Sequence, residues 1–573
     1  SGAVAESLLT FDGSITSPYL NINSVKIGRG NNNVSTNISI GGVAFSSGST
    51  GCNNTAIGLN SLCSNTTGSF NLAIGGSTLS ASTIGNRNIA IGHQSLQSGV
   101  GLCNNVAIGY KAGARLGNNL TPTDNIFIGC QAGYGANTGN VSFGNILSNN
   151  IAIGKNAGCS IGSKYNSSIY CGNTGYPDYI NLYGPGWATS GKNVFIGNYA
   201  GQNATPPSPC QAAAIVIGCN TAIGHCSMAS TTYGICNTAI GYAALKANTT
   251  GRYNTSIGSS ALCSNTTGQL NVAIGNCALR LNTTGLKNNA IGFRTLAKNT
   301  TGGLNTALGY NVLYSNTTGS QNTAIGYRAL LFNTTGCSNT ALGAGSLFFN
   351  CSTSRNTAIG YRALYSNIAN GNTAVGHYSM RAATIAVRNV TVGHCAGRYI
   401  YNVNDNVAVG YNSLIGGGNG CNTAIGSRTL SCITNTTNNV AVGACVLRLS
   451  TSAFNVGVGS QALINSTTAV RNVAIGYKTL CANTTGGYNV SIGSENSPTN
   501  TTGAGNTAIG FKANSVNFSN SVILGRCAVA TGNNQFVVGA SLYNSGTVTT
   551  ETCVTSKTWS VVINGVAQKI LLA

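Results

Sequence analysis

The phrase Asn-Thr-Ala-(Ile or Leu)-Gly returns at Asn305, Asn322 and Asn339, so one step of this chain is 17 residues. Repetition at a short fixed period constrains a fold more than any local propensity, because each repeat is one unit stacked on the next. With that Asn as position 0, anchors at Asn54, Asn71, Asn88 and Asn105 lie 17 apart. The step stretches through Asn125, Asn150 and Asn193, returns to 17 from Asn220 to Asn356, and runs at 16 or 17 to Asn506. That gives 25 anchors, seven up to Asn193 and eighteen from Asn220.

Position 4 is Gly at every anchor, position 3 is always aliphatic (Ile57, Leu308, Ile325, Val409), and position 2 is Ala in 19 of 25. Position 8 is often Leu (Leu313, Leu330, Leu347, Leu364), and position 11 often opens Asn-Thr-Thr-Gly, as at Asn248, Asn265, Asn282, Asn299, Asn316 and Asn333. A helix does not tolerate an obligatory Gly in every repeat. Short β-branched phrases between Gly and Asn-Thr-Thr-Gly are strand and turn signals. The expected fold is therefore all-β: a parallel β-solenoid with a coil of about 17 residues and two short strands per coil.

Gly at position 4 is expected to take a positive φ at a corner where a Cβ would clash. Stacked Asn at positions 0 and 11 are expected to bond backbone in turns and form amide ladders. Positions 3 and 8 are expected to fill a thin core, which places Ala and Gly of positions 2 and 4 on the outward face. Small residues on an outward face are expected where another chain packs closely, so the sequence points to a homo-oligomer, with parallel copies about a threefold axis. Coils stacked about 4.8 Å apart give a rod of roughly 120–145 Å.

Composition narrows the function. Charged residues make up 6% of the chain, and 28 Lys+Arg against 7 Asp+Glu give a formal charge of +21. The bland reading is solubility, and the sharper one is attraction to anionic polymers. The cations are scattered singly, which argues against nucleic acid as the partner. No apolar run approaches the roughly 20 residues of a membrane span, so no membrane insertion is expected. The chain opens at Ser1 without Met or a signal-like segment, which reads as a processed or trimmed start.

Five segments are expected: 1–42 for attachment or capping, 43–124 regular coils, 125–219 coils with long Tyr-rich insertions, 220–539 regular coils, and 540–573 for capping or assembly. The stretched segment contains Tyr165–Trp187, whose Tyr176, Tyr179, Tyr183 and Trp187 are candidates for stacking on sugar rings. Packing over a hydrophobic step or a subunit seam is the alternative.

All four histidines (His93, His225, His377, His394) fall at position 5, where Tyr310, Tyr327, Tyr361 and Tyr411 stand in other coils. His there reads first as a replacement for Tyr. His377 and His394 lie one coil apart beside Cys395 and are weak metal-ligand candidates, with no further ligand evident. No cofactor is expected.

The seven acids are Glu6, Asp12, Asp124, Asp178, Asp405, Glu495 and Glu551, and no two share or neighbour a coil. The carboxylate pair of a glycosidase is therefore not available within one chain, and no enzyme activity is expected. Of the 21 cysteines none form a C-x-x-C pair. Cys219 and Cys236 precede successive anchors, which brings them within disulfide range as a candidate bridge.

The N-(T/V)-A-(I/V)-G phrase resembles the left-handed parallel β-roll heads of trimeric autotransporter adhesins. The fuller NTAIGYRAL…NTTG is similar to repeats in fibre proteins of phage tails and large DNA viruses. The stretches Asn21–Gly42 and Thr555–Ala573 look like the flanks of such fibres. The resemblance implies a left-handed, homotrimeric structural and adhesive fibre, extracellular on a virion, phage tail or cell surface, that binds surface polysaccharide or a host receptor. A membrane-barrel segment, a coiled-coil stalk and a self-cleaving chaperone are not recognisable, which favours virion or filament assembly over autotransport. A filament subunit joined end to end through its termini is the structural alternative. Ice binding is a third reading. It rests on Thr55, Thr221, Thr238, Thr306, Thr323 and Thr340 at position 1, but Val106, Val272 and Val407 interrupt that ladder.

Overall fold

In a computed structural model, the protein is described for residues 19–22, 25–29, 34–45, 48–116, 122–135, 148–159, 190–202, 217–416, 419–433, 436–539, 558–563 and 566–571. Among these residues there is no helix, hence none long and apolar enough to cross a membrane. The chain divides into two compact units, Ser1–Val375 and Gly376–Ala573.

The first unit opens with β1 (Tyr19–Ile22) antiparallel to β2 (Val25–Gly28), which pairs antiparallel with β3 (Ile38–Ile40), the strand of the first coil. From β3 onward the described coils each place one three-residue strand in a parallel, in-register ladder that ends at Thr373–Val375. In the coil at Asn305 the pairs are Thr306↔Thr323, Ala307↔Ala324 and Leu308↔Ile325. The second unit repeats the arrangement from Val390–Val392 to Phe536–Val538. Its Thr558–Ile563 and Val566–Leu571 form a separate antiparallel hairpin. The parallel β-solenoid with coils of about 17 residues is thus present in both units.

Two expectations about the coil are corrected. Most described coils hold one strand rather than two, because the second stretch cannot extend; the two-residue strands Ser190–Gly191 and Ile217–Gly218, paired in parallel, are an exception. Asn311 and Leu313, at positions 6 and 8, have φ of 52° and 50°. A backbone entering the left-handed region at alternate residues follows a corner, although it still bonds from coil to coil, as Leu313 N–H does to Ala329 C=O at 3.0 Å.

The facing of the strand is also inverted. Ala307 at position 2 is buried, whereas Leu308 at position 3 is 44% exposed. Alternation sends positions 1 and 3 outward and position 2 inward. Leu313 is fully buried and occupies most of the interior, so only a methyl group fits opposite it.

In two coils the interior exchanges one large side chain for another. Where Phe127 and Phe195 stand at position 2, position 8 is Gly133 and Gly201. A Cβ on Gly201 would lie 2.5 Å from the Phe195 ring. The ring has taken the space that Leu fills elsewhere.

Buried amides join the coils. Asn305 Nδ2 donates to Asn288 Oδ1 (3.0 Å) and Gly319 C=O (2.9 Å), while its Oδ1 accepts from the N–H (3.0 Å) and Nδ2 (3.1 Å) of Asn322. At position 11, Asn316 Nδ2 donates to Asn299 Oδ1 (2.7 Å) and to the same Gly319 carbonyl (2.9 Å). Two ladders thus share one carbonyl per coil. A buried amide without partners costs roughly 1–3 kcal/mol per orphaned group, and here the chemistry of Asn is used in full.

Gly309, at position 4, has φ +133°, and a Cβ there would sit 2.5 Å from Gly326 O. That bend ends the strand and throws position 5 outward.

Candidate binding surface

Where the residue after the Gly bend is aromatic it is outward and exposed, with Tyr310 at 44%, Tyr327 at 52% and Tyr242 at 60%. In-register coils place these side chains above one another. Phe293 stacks on Tyr310 with centroids 5.2 Å apart, and Tyr310 on Tyr327 at 5.5 Å. His93 stacks on Tyr110 at 5.9 Å and His225 on Tyr242 at 5.6 Å. In the second unit His377 stacks on His394 at 5.0 Å, and His394 on Tyr411 at 5.5 Å.

Position 6 adds charge. Its left-handed backbone turns the side chain back over the preceding ring: Arg328 lies 5.0 Å from the Tyr327 centroid, Arg294 5.1 Å from Phe293, and Lys111 5.1 Å from Tyr110. Lys478 over Tyr477 and Lys512 over Phe511 repeat the motif at 5.2 Å. Such contacts contribute roughly 0.5–1 kcal/mol when exposed. A hydrogen bond with Tyr477, followed by its charge, pushes the Lys478 ammonium pKa up. Arg362 lies 5.2 Å from both Tyr361 and Tyr365, tying the column to a second aromatic cluster in which Phe348 stacks on Tyr365 at 4.9 Å.

Rings stacked above and below one another turn their faces to each other and their edges to solvent. The surface therefore offers hydroxyls, imidazole nitrogens and cations, which suit charged and polar groups better than the flat face of a sugar. Acids are few against 28 Lys+Arg, and the ion pairs among the described residues include Arg388–Asp405 at 2.7 Å and Lys512–Glu495 at 3.2 Å.

Sequence reasoning found the aromatic residues at position 5 and missed the cations beside them. The signal was visible in Tyr110-Lys111, Phe293-Arg294, Tyr327-Arg328, Tyr361-Arg362, Tyr477-Lys478 and Phe511-Lys512. Cations that are single along the chain fall into line once the coils stack: Arg294, Arg328 and Arg362 recur at position 6 in every second coil, with Asn311 and Gly345 between them.

The remaining candidates separate as follows. Tyr176, Tyr179, Tyr183 and Trp187 lie outside the described residues. His377 and His394 come together, but parallel rings at 9° point their nitrogens alongside one another rather than toward a shared point. Among the described residues no three potential metal ligands converge. Buried Cys395 donates its N–H to the His377 carbonyl at 2.9 Å.

Cys219 and Cys236 lie in adjacent coils, with Cys236 N–H bonded to Gly218 C=O at 3.1 Å. Both are exposed free thiols. Burial first, then the charge and hydrogen bond of Cys219, push the Cys236 thiol pKa up. Each described carboxylate has a nearby partner, Asp124 accepting from Asn104 Nδ2 at 3.0 Å and the other two in the ion pairs above. A shallow cleft of about 330 Å³ at Cys337, Ser354, Arg355 and Asn370 spends its polar atoms on its own corner: Ser354 Oγ accepts from Cys337 N–H and Asn370 Oδ1 from Ser354 N–H.

No protein-family model matches the chain, and no curated protein matches it.

Proposed function

We propose that the protein is a structural and adhesive fibre, extracellular on a virion, phage tail or cell surface, that binds acidic groups of surface polysaccharide or of a host receptor. The observation that carries this reading is the exposed aromatic–cation column, repeated on coils whose interiors are nearly identical. A stack of such coils supplies stiff length, and the column supplies many weak, equivalent contacts with a polyanion. We read it as non-enzymatic, without a cofactor, and with neither nucleic acid nor membrane as its partner. Left-handed coils and a homotrimer complete the proposal. Support for the trimer comes from the outward strand face, where Ile291, Leu308 and Leu342 are 39%, 44% and 42% exposed. An apolar stripe of this kind is what an interface between copies covers.

The test pairs light scattering with retention on immobilised acidic polysaccharide across a salt series. Particles of three chains, retained at low salt and released as salt rises, are the expected result. Monomers that pass through at all salt concentrations would refute the proposal.

One observation favours the filament alternative. Among the described residues Phe536–Val538 pairs with a single strand, Val522–Leu524, and its Phe536 and Val538 are 69% and 60% exposed. An edge of that kind can accept a strand from another copy. Open-ended filaments in electron micrographs would select that reading, and finite particles would exclude it.

A further inference from the structure

We infer that Arg381 and Arg398, in successive coils of the second unit, form a binding site for a tetrahedral oxyanion, a sulfate or phosphate ester. Both guanidiniums pack on one ring, each 5.2 Å from the Tyr378 centroid, and Arg398 also lies 5.1 Å from Tyr399. Two like charges gathered on a single ring repel unless an anion or solvent neutralises them. The described carboxylates of this unit are engaged elsewhere. Asp405 takes a two-pronged contact from Arg388 at 2.7 and 2.8 Å, and Glu495 pairs with Lys512 at 3.2 Å.

Arg398 itself is under-satisfied. Its Nε is buried with no acceptor among the described residues, and its Nη1 makes a long contact with Cys395 Sγ at 4.0 Å. Both arginines are half-buried, and partial burial strengthens an ion pair relative to a fully solvated one. His377 meets the same Tyr378 edge to face at 4.2 Å and stacks on His394.

The chemistry selects the ligand. Two planar guanidinium forks present more donors than one carboxylate can accept, whereas a tetrahedral dianion offers oxygens to both. Arg471 provides the contrast within the same unit. It lies between Phe454 (5.5 Å) and Tyr488 (5.4 Å), but it is a single cation whose Nη1 already donates to Tyr488 Oη at 2.5 Å. The inference deepens the adhesive reading and rests on it only for the source of the ester.

The test uses the full chain and the trisulfonated dye pyranine, followed by fluorescence anisotropy at constant ionic strength. Sulfate and phosphate are expected to displace the dye at roughly tenfold lower concentration than acetate. R381Q and R398Q are each expected to weaken dye binding about tenfold, the scale of one charge-assisted hydrogen bond. R398K, which keeps the charge without the planar fork, should fall between R398Q and the unaltered chain, and R471Q should stay within about twofold of the latter. Melting curves establish that each variant keeps its coils. Unchanged affinity in R398Q, or an equal loss in R471Q, overturns the site. Retention on a sulfated or a phosphorylated polysaccharide then separates the two sources. Arginine-dependent dye binding with retention on neither upholds the oxyanion site and removes the adhesive reading.

Discussion

Inside the coil that begins at Asn305, each side chain is held to a size and a chemistry: Asn305 and Asn316 in amide ladders, Ala307 opposite Leu313, all of them buried. On the outside of the same coil, Tyr310 follows Phe293 one coil earlier and precedes Tyr327 and then Ala344. The backbone is the same for both regions. The inside must reproduce its neighbours because its strand pairing and its amide ladders cross to the next coil. The outside has no such obligation, so its residues are free to carry binding. The Phe127 coil refines this contrast, since there the interior is filled from position 2 by Phe127, with Gly133 in the place of Leu.

The largest expected effect lies inside, at that exception. Phe127→Ala is expected to cost about 4 kcal/mol, because a cavity opens where Gly133 supplies no side chain. Gly133→Leu alone overpacks the coil and costs about 1–3 kcal/mol. The double variant rebuilds the ordinary Ala and Leu pairing, and a double-mutant cycle in denaturant should show it recovering more than half of the Phe127→Ala loss. Strict additivity would mean that the two positions do not share one volume.

Next comes Gly309→Ala, at about 3 kcal/mol. It combines a backbone region that only Gly enters freely with a Cβ driven toward the Gly326 carbonyl. Hydrogen exchange should report the loss locally, in the strands Thr306–Leu308 and Thr323–Ile325, since stability in stacked repeats is set by nearest neighbours.

On the outside, Arg328→Gln should change stability by no more than about 0.5 kcal/mol. It should still weaken retention on an acidic polysaccharide and reduce the salt dependence of that retention. The smallest effect concerns Asp405. The hydrogen bond and then the charge of Arg388 hold its carboxyl below its ordinary value. The stabilisation is therefore present above the unfolded carboxyl's pKa and fades as pH falls through the lower folded value. Because the pair is exposed, Asp405→Asn should differ slightly from the unaltered chain at neutral pH and converge with it in acid, as followed by melting temperature across pH.

The period, the Gly bends and the Asn ladders were legible because each repeats at one position and has one physical explanation. Gly309 is the residue that survives its φ, and Asn305 supplies two donors and one doubly accepting oxygen. The facing of the strand was not legible. Thr306, Ala307 and Leu308 alternate in either sense, and an aliphatic Leu308 invites an inward reading. The width of the interior, set by Leu313, decides the matter and appears only when the coil closes. The second strand failed for a related reason: Asn311 belongs to a type that enters the left-handed region readily, but nothing in Leu313 announces that it follows. The column was half legible: Tyr327 and Tyr361 declare a position, while Arg328 and Arg362 look isolated until the coils bring them into line.

The most direct test compares the unaltered chain with R294Q/R328Q/R362Q, which removes three column cations from the first unit. Retention on immobilised acidic polysaccharide is measured alongside the melting temperature. The division between inside and outside predicts a melting temperature within a few degrees of the unaltered chain and a clear loss of retention. Unchanged retention, or retention that falls only together with the melting temperature, would contradict it.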